Sequence, residues 1–431
     1  MKGFASLFAD WRTGLYTTAL GLLIITLFLA RLFPDYPVNS YAIVLLLVAW
    51  LVGGVFRGLR QRLAIPWLWL PILLFVLYAL GVLYSDDKET AGRMLEQKLA
   101  LLLLPVLVGS ARQFKSRHLG WSLWVFVLSS AAAMAVAFVL AIINGTSGMY
   151  GDITFLDMVT YEKLAGTIGF QPIYLSLYMV FACFAIYALG RFERFSEQFF
   201  FGRNVLVALL FFFFFVSVVL LSSRMEIMVL FVSLAVLIVI GVRPLKRQLR
   251  YTGVYVAMLL LALLMILGST ENKQRFTEMI DIESDYTQDR YGGRSIRFHK
   301  WLNTLERWSE NPILGVGTGD MQRELNATYA RNDFQLALDY SFNPHNQYLE
   351  TLLTIGIAGF LTLIAWMGSL CWLGWRHKNW LLLVFGLIAS LSMITESMLE
   401  RQWGIVFICF FATLLISDNF KYFRTESSPQ Q

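Results

Sequence analysis

Residues Val205 to Leu221 read VLVALLFFFFFVSVVLL, and Ser222-Ser223-Arg224 follow before a second apolar run opens at Ile227. Such a run, with one serine and no charge, approaches the roughly 20 apolar residues that cross a bilayer as a helix. Leu15 to Leu29 and Tyr255 to Gly268 have the same character. Leu, Ile, Val and Phe dominate without the polar alternation of a β-barrel strand, so the spans are helical. Across the chain 57% of residues are hydrophobic and 15% charged, with a mean hydropathy of +0.61, a balance that excludes a water-soluble globule.

Hydropathy places spans near 14–33, 40–56, 65–84, 95–110, 120–143, 171–190, 204–222, 225–242, 252–269, 347–373, 380–396 and 402–418. The expected fold is an all-α polytopic membrane protein of about twelve transmembrane helices, with one large periplasmic loop containing amphipathic helices. The first run has no small-residue cleavage site before Pro34 and reads as a retained helix. Basic residues set the orientation. Arg57, Arg60 and Arg62, then Arg112, Lys115 and Arg117, then Arg191, Arg194 and Arg203, then Arg243, Lys246, Arg247 and Arg250, then Arg376 and Lys378 fall in alternate loops. These are the cytoplasmic side, and Ser269 to Asn346 lies on the far face, in a bacterium the periplasm. The net charge of +6 belongs to this topology, and no nucleic-acid partner is implied. The expected division is N-terminal transmembrane helices at 1–204, a core at 205–418 that includes the loop 270–346, and a polar cytoplasmic tail at 419–431. Cys183, Cys371 and Cys409 all lie in apolar runs, as small hydrophobes do.

The long polar stretch ends in Asn343-Pro344-His345-Asn346-Gln347-Tyr348-Leu349-Glu350. Of four histidines, His118 and His377 sit in basic cytoplasmic loops and read as solvated or headgroup-facing, which leaves His299 and His345. His345 stands where the loop enters the next span, beside Asn343, Asn346 and Gln347, whose amides can orient the ring or a substrate. It is a general-base candidate, with a helix cap or interfacial residue as the alternative. Arg224 closes a very short turn at the outer boundary, either as an interfacial anchor or as a guanidinium at the depth of a lipid-linked diphosphate. Glu226 either orients it or pairs with it. Phe298, Trp301, Leu302, Leu305 and Trp308 form a stripe at helical spacing, an amphipathic helix from Ser295 to Asn311-Pro312 with Arg297 on its flank. Arg290 and Arg294 read as solvated charges.

Gly315-Val316-Gly317-Thr318-Gly319-Asp320 lacks both Rossmann spacing and a Walker lysine and reads as a packing turn. Asp281, Glu283, Asp285 and Asp289 imitate a calcium loop, but Tyr286 and Gly292 replace its turn glycine and bidentate glutamate. Glu396, Glu400 and Arg401 flank the last outer turn, where they line the outward cavity or cap helices. No internal repeat is present, which argues against a transporter.

Three features in this order resemble the O-antigen ligase and polymerase superfamily of bacterial envelope glycan assembly. They are the Ser222-Ser223-Arg224 turn, Ser295 to Trp301 leading into Asn311 to Gly319, and Pro344-His345-Asn346-Gln347-Tyr348-Leu349 followed by Gly356 and Gly359. The resemblance implies transfer of a polyprenyl-diphosphate-linked glycan to the lipid A core at the periplasmic face of the inner membrane, with inversion and with neither metal nor cofactor. It makes His345 the base and Arg224 and Arg297 the diphosphate-binding arginines, with Asn346 as a further substrate contact. The polymerase, which extends the glycan on its carrier, and the protein O-oligosaccharyltransferase are the alternatives within the superfamily. A non-catalytic transporter of lipid-linked glycan is the alternative outside it.

Overall fold

In the computed structural model the quoted run becomes one helix of a bundle whose centre is packed with aromatic rings. Phe126, Tyr178, Phe181, Phe385, Phe407 and Phe411 meet there at centroid separations between 4.8 and 6.3 Å. The structure describes residues 6–8, 10–29, 36–54, 64–112, 114–149, 151, 153–191, 203–277 and 294–426. Among these every regular element is helical.

In chain order the helices are α1 (Trp11–Leu29), α2 (Val38–Val52), α3 (Trp69–Tyr84), α4 (Lys88–Gln97), α5 (Ala100–Gly109), α6 (Ser116–Thr146), α7 (Phe155–Met158), α8 (Tyr161–Ala165), α9 (Pro172–Arg191), α10 (Arg203–Leu220), α11 (Arg224–Gly241), α12 (Leu245–Gly268), α13 (Thr270–Thr277), α14 (Arg294–Glu310), α15 (Met321–Arg331), α16 (Gln335–Asp339), α17 (Gln347–Arg376), α18 (Trp380–Ser392) and α19 (Gln402–Glu426). Among the described residues eight helices are long and apolar enough to cross a membrane, and α2, α10 and α18 are shorter apolar helices. Exposed leucines such as Leu260, Leu263, Leu264 and Leu267 on α12 form the kind of apolar exterior that a bilayer covers. The protein is a multi-pass membrane protein.

Three expectations change. The span at 95–110 is broken: polar α4 stops at Gln97, Lys98 and Leu99 turn, and α5 has only 10 residues. The break places the Lys98 side chain, wholly buried, against residues of the α18–α19 loop. His118 is not solvated; it is buried, with Nε2 3.1 Å from the Thr17 hydroxyl and Nδ1 accepting from the Lys115 amide at 2.9 Å. The polar tail is helical as far as Glu426, because α19 continues past Lys421.

Helix α17 is two helices joined at a kink. Ile355 and Gly356 leave helical geometry, Gly356 with φ 67° and ψ −164°, a region that only glycine occupies readily. The turn after α14 fills the break. Val316 and Gly317 donate to the carbonyls of Leu353 and Thr354, and Ile357 donates to that of Pro312. The glycine-rich segment is therefore a packing turn: a Cβ on Gly356 would lie 2.0 Å from the Ile313 carbonyl oxygen. Asp320, at its end, accepts from the amides of Asp86 and Asp87 at 2.6 and 3.0 Å and so ties it to the end of α3. Beyond it, Met321, Leu325, Tyr329, Phe334 and Ala337 form a second, smaller core with Leu353.

Candidate functional site

Proline forces the residue before it into extended backbone, so Asn343 arrives extended and turns its side chain onto the chain ahead. Asn343 Oδ1 accepts from the His345 amide at 3.2 Å, and the Pro344 carbonyl accepts from Trp301 Nε1 of α14 at 3.1 Å. His345 has φ 46°, the left-handed region that a residue other than glycine enters at a cost unless its surroundings fix it. Asn346 caps α17, with Oδ1 accepting from the amides of Tyr348 and Leu349. The Gln347 amide donates to the Met393 carbonyl, joining the start of α17 to the end of α18.

These constraints aim the imidazole at the α18–α19 loop, where His345 Nδ1 lies 3.2 Å from Glu396 Oε2. An ionised carboxylate only accepts, so Nδ1 carries the hydrogen and Nε2 keeps its lone pair. The imidazole side chain is about one-third exposed, whereas Glu396 is largely covered. Burial works to raise the Glu396 pKa. The His345 hydrogen bond, and then the electrostatic pull of the basic groups around it, Arg297 and Lys300 among them, outweigh burial and hold it below the ordinary glutamate value. Tyr174 points its hydroxyl at the other Glu396 oxygen, 3.5 Å away.

Arg297 and Lys300 both come from α14. Arg297, Lys300, Trp301 and Thr304 are spaced i, i+3, i+4, i+7 and share a face. Trp301 fixes that face against the His345 turn. Arg297 is exposed, while Lys300 is only 4% exposed, its ammonium 4.9 Å from the centre of the Phe342 ring. Phe342 in turn meets the His345 ring at 6.3 Å. Burial first, and Arg297 second, push the Lys300 pKa down to about 7 against the pull of Glu396. Arg224 is the first residue of α11 and half-buried, after Ser222 in the left-handed region at φ 51°. Glu226, two residues on, sits beside Ser392 at the end of α18, which puts the Arg224 turn at the same end of the bundle as His345. Glu226 is wholly buried, and neither of its oxygens has a hydrogen-bond partner among the described residues.

Beneath the histidine lies a buried polar network. Lys98 Nζ binds Glu400 Oε1 at 2.5 Å and lies 4.4 Å from the Tyr78 ring centre. Gln347 accepts from the Leu399 amide at 2.6 Å and donates to Thr351 and Glu400, and Ser397 donates to Glu350. These bonds run between α17 and the α18–α19 loop, so the loop that carries Glu396 is held from below. On the outer flank, Asp157 accepts from Ser269 at 2.7 Å and Lys163 pairs with Glu271, fastening the α6–α9 connection to the α12–α13 corner.

The structure thus brings His345, Arg297 and the start of α11 to one end of the bundle. Asn346, expected as a substrate contact, is largely buried and caps α17 through Oδ1, because the first amides of a helix lack partners of their own. His299 packs edge-on to Phe334 of the smaller core at 6.1 Å. Arg290 and the acidic residues Asp281, Glu283, Asp285 and Asp289 lie outside the described residues. Glu396 becomes the partner of His345, a role that its position beside the last outer turn left open. Lys300 and Tyr174 carry no signal in the sequence: one lies in a charge-rich helix, the other in an apolar run.

Fold and site together define a polytopic all-helical membrane protein with a histidine–carboxylate pair among cations at one end. Residues 208–364 match the family model described as O-antigen ligase. Over that stretch the chain is similar to the O-antigen ligase family, in keeping with the motif resemblance. The matched stretch contains Arg224, Arg297 and His345, while Glu396 falls beyond it. No curated protein matches the chain.

Proposed function

We propose that the protein transfers a glycan from a polyprenyl diphosphate carrier to a hydroxyl of the lipid A core, at the periplasmic face of the inner membrane, with His345 as general base. The observation that carries this reading is the His345–Glu396 contact at 3.2 Å, which leaves Nε2 to accept a proton. The acceptor oxygen attacks the anomeric carbon, the bond from that carbon to the diphosphate oxygen breaks, and the electron pair leaves with the diphosphate. The hydroxyl proton passes to Nε2, and the resulting imidazolium is balanced by Glu396. Attack opposite the leaving group inverts the anomeric centre. Arg297 and Arg224 offer forked donors to the departing phosphates, where negative charge accumulates.

Purified full-length protein given lipid-linked glycan and lipid A core provides the test. The variant His345→Ala is expected to lose roughly 10²- to 10⁴-fold in transfer rate while still binding donor. Full activity in that variant would end the base assignment, and a native protein that moves donor across vesicles without joining it would favour the transporter. A deletion strain separates the acceptors. Free core with carrier-linked polymer indicates the ligase, core bearing one repeat the polymerase, and intact lipopolysaccharide with unglycosylated protein the protein transferase.

A further inference from the structure

Lys300 is a cation without an anion. Its side chain is 4% exposed, and among the described residues its ammonium makes neither a hydrogen bond nor an ion pair; its one close partner is the face of Phe342, 4.9 Å away. Covering most of a lysine without giving its ammonium an acceptor costs more than a ring face returns, so natural proteins rarely keep one without an anion to meet. Its neighbours show what it is kept for. Arg297 stands one helical turn earlier on the same face, Phe342 also touches the His345 ring, and Trp301 locks the helix to Pro344. A lysine with a merely structural role would have been given Glu396 as a partner, yet Glu396 is bonded to His345 and reaches Lys300 only through space.

We propose that Lys300 is a further cationic contact for the donor diphosphate, acting beside Arg297. The inference rests on the diphosphate reading of the site and extends it to a residue that no motif singles out. A diphosphate presents several oxygens in more than one direction. A compact ammonium with three rotatable donors complements the planar fork of an arginine there. Burial and Arg297 leave Lys300 neutral for much of the time near neutral pH, with a pKa of about 7. Diphosphate placed against it favours the charged form, so donor binding draws a proton onto the protein. The charged or titratable groups around it are Arg297 on its own helix, His345 at the start of α17 and Glu396 in the α18–α19 loop.

Undecaprenyl diphosphate, titrated against the full-length protein in lipid nanodiscs, is the probe, with undecaprenyl monophosphate as control. Lys300→Met is expected to weaken diphosphate binding roughly 10- to 100-fold, and more than it weakens monophosphate binding. Its thermal stability without ligand should be no lower than that of the native protein, since a largely covered amine without an acceptor has been replaced by an apolar side chain of similar length. Calorimetry in buffers of different ionisation enthalpy should show proton uptake on binding at about pH 8.5, where the diphosphate is already ionised. That uptake should persist in His345→Ala. Unchanged diphosphate affinity in Lys300→Met, or no uptake by the native protein, overturns the proposal; should Lys300→Met fail to fold, the uptake measurement decides. If the native protein does not prefer diphosphate to monophosphate, it is the diphosphate reading itself that falls.

Discussion

His345 has one ring nitrogen engaged and the other open, an asymmetry that depends on Glu396 accepting and never donating. Glu396→Gln can offer an amide N–H to Nδ1 and stabilise the other tautomer, so transfer should fall by roughly 10²- to 10⁴-fold with donor binding retained. Steady-state rates beside binding isotherms check this. The two titrating neighbours also act on stability in opposite senses. Glu396 has a lowered folded pKa, so its contribution is present above the ordinary glutamate value of about 4.5 and is lost as pH falls below that, through the folded value. Lys300 has a lowered folded pKa too, but as a base it binds protons more readily unfolded, so stability rises from about pH 7 towards its ordinary value of 10.5. Melting curves across pH should show the acid-side loss shrink in Glu396→Gln and the alkaline-side gain shrink in Lys300→Met. His345, Arg224 and Arg297 could be picked out because each is a conspicuous polar residue at a boundary or in a motif. Glu396 could be noticed but not paired, since 51 residues separate it from His345.

At the scale of elements, the kink in α17 determines how α14 meets the site. The carbonyls released at Leu353 and Thr354 are taken up by Val316 and Gly317, so the turn after α14 is welded to the break. Gly356→Ala would push a Cβ onto the Ile313 carbonyl in a backbone region closed to other residues. It should destabilise the fold by about 1–3 kcal/mol and lower transfer with His345 intact, which unfolding in detergent and the transfer assay would measure. Hydropathy could not reveal the kink, because a 30-residue apolar helix containing a glycine reads as continuous. The break at Lys98 was hidden for the converse reason: an averaged profile carries the strongly apolar α5 back over the turn and into the polar end of α4. Removing Lys98 as Lys98→Met leaves Glu400 buried without its ammonium and should cost roughly 3–5 kcal/mol, seen as a lower melting temperature.

At the scale of the molecule, His345, Glu396, Arg297 and the start of α11 share one end of the bundle among the described residues. Under the proposed orientation, a membrane-impermeant thiol reagent added to intact spheroplasts should label Ser309→Cys on exposed α14 and spare Lys378→Cys in the α17–α18 turn. Equal labelling of both, or labelling of Lys378→Cys alone, would reverse the topology. Sequence determined that this chain is a helical membrane protein, where most spans lie and which family it resembles, because span length, side-chain hydropathy and short motifs are local properties. Only the tertiary structure decided that Glu396 holds His345, that Lys300 lies buried beside Arg297, that Asn346 caps a helix through Oδ1 and that Gly356 breaks a helix. Those facts depend on which groups from distant segments share the small volume from which water has been excluded, and no local pattern encodes them.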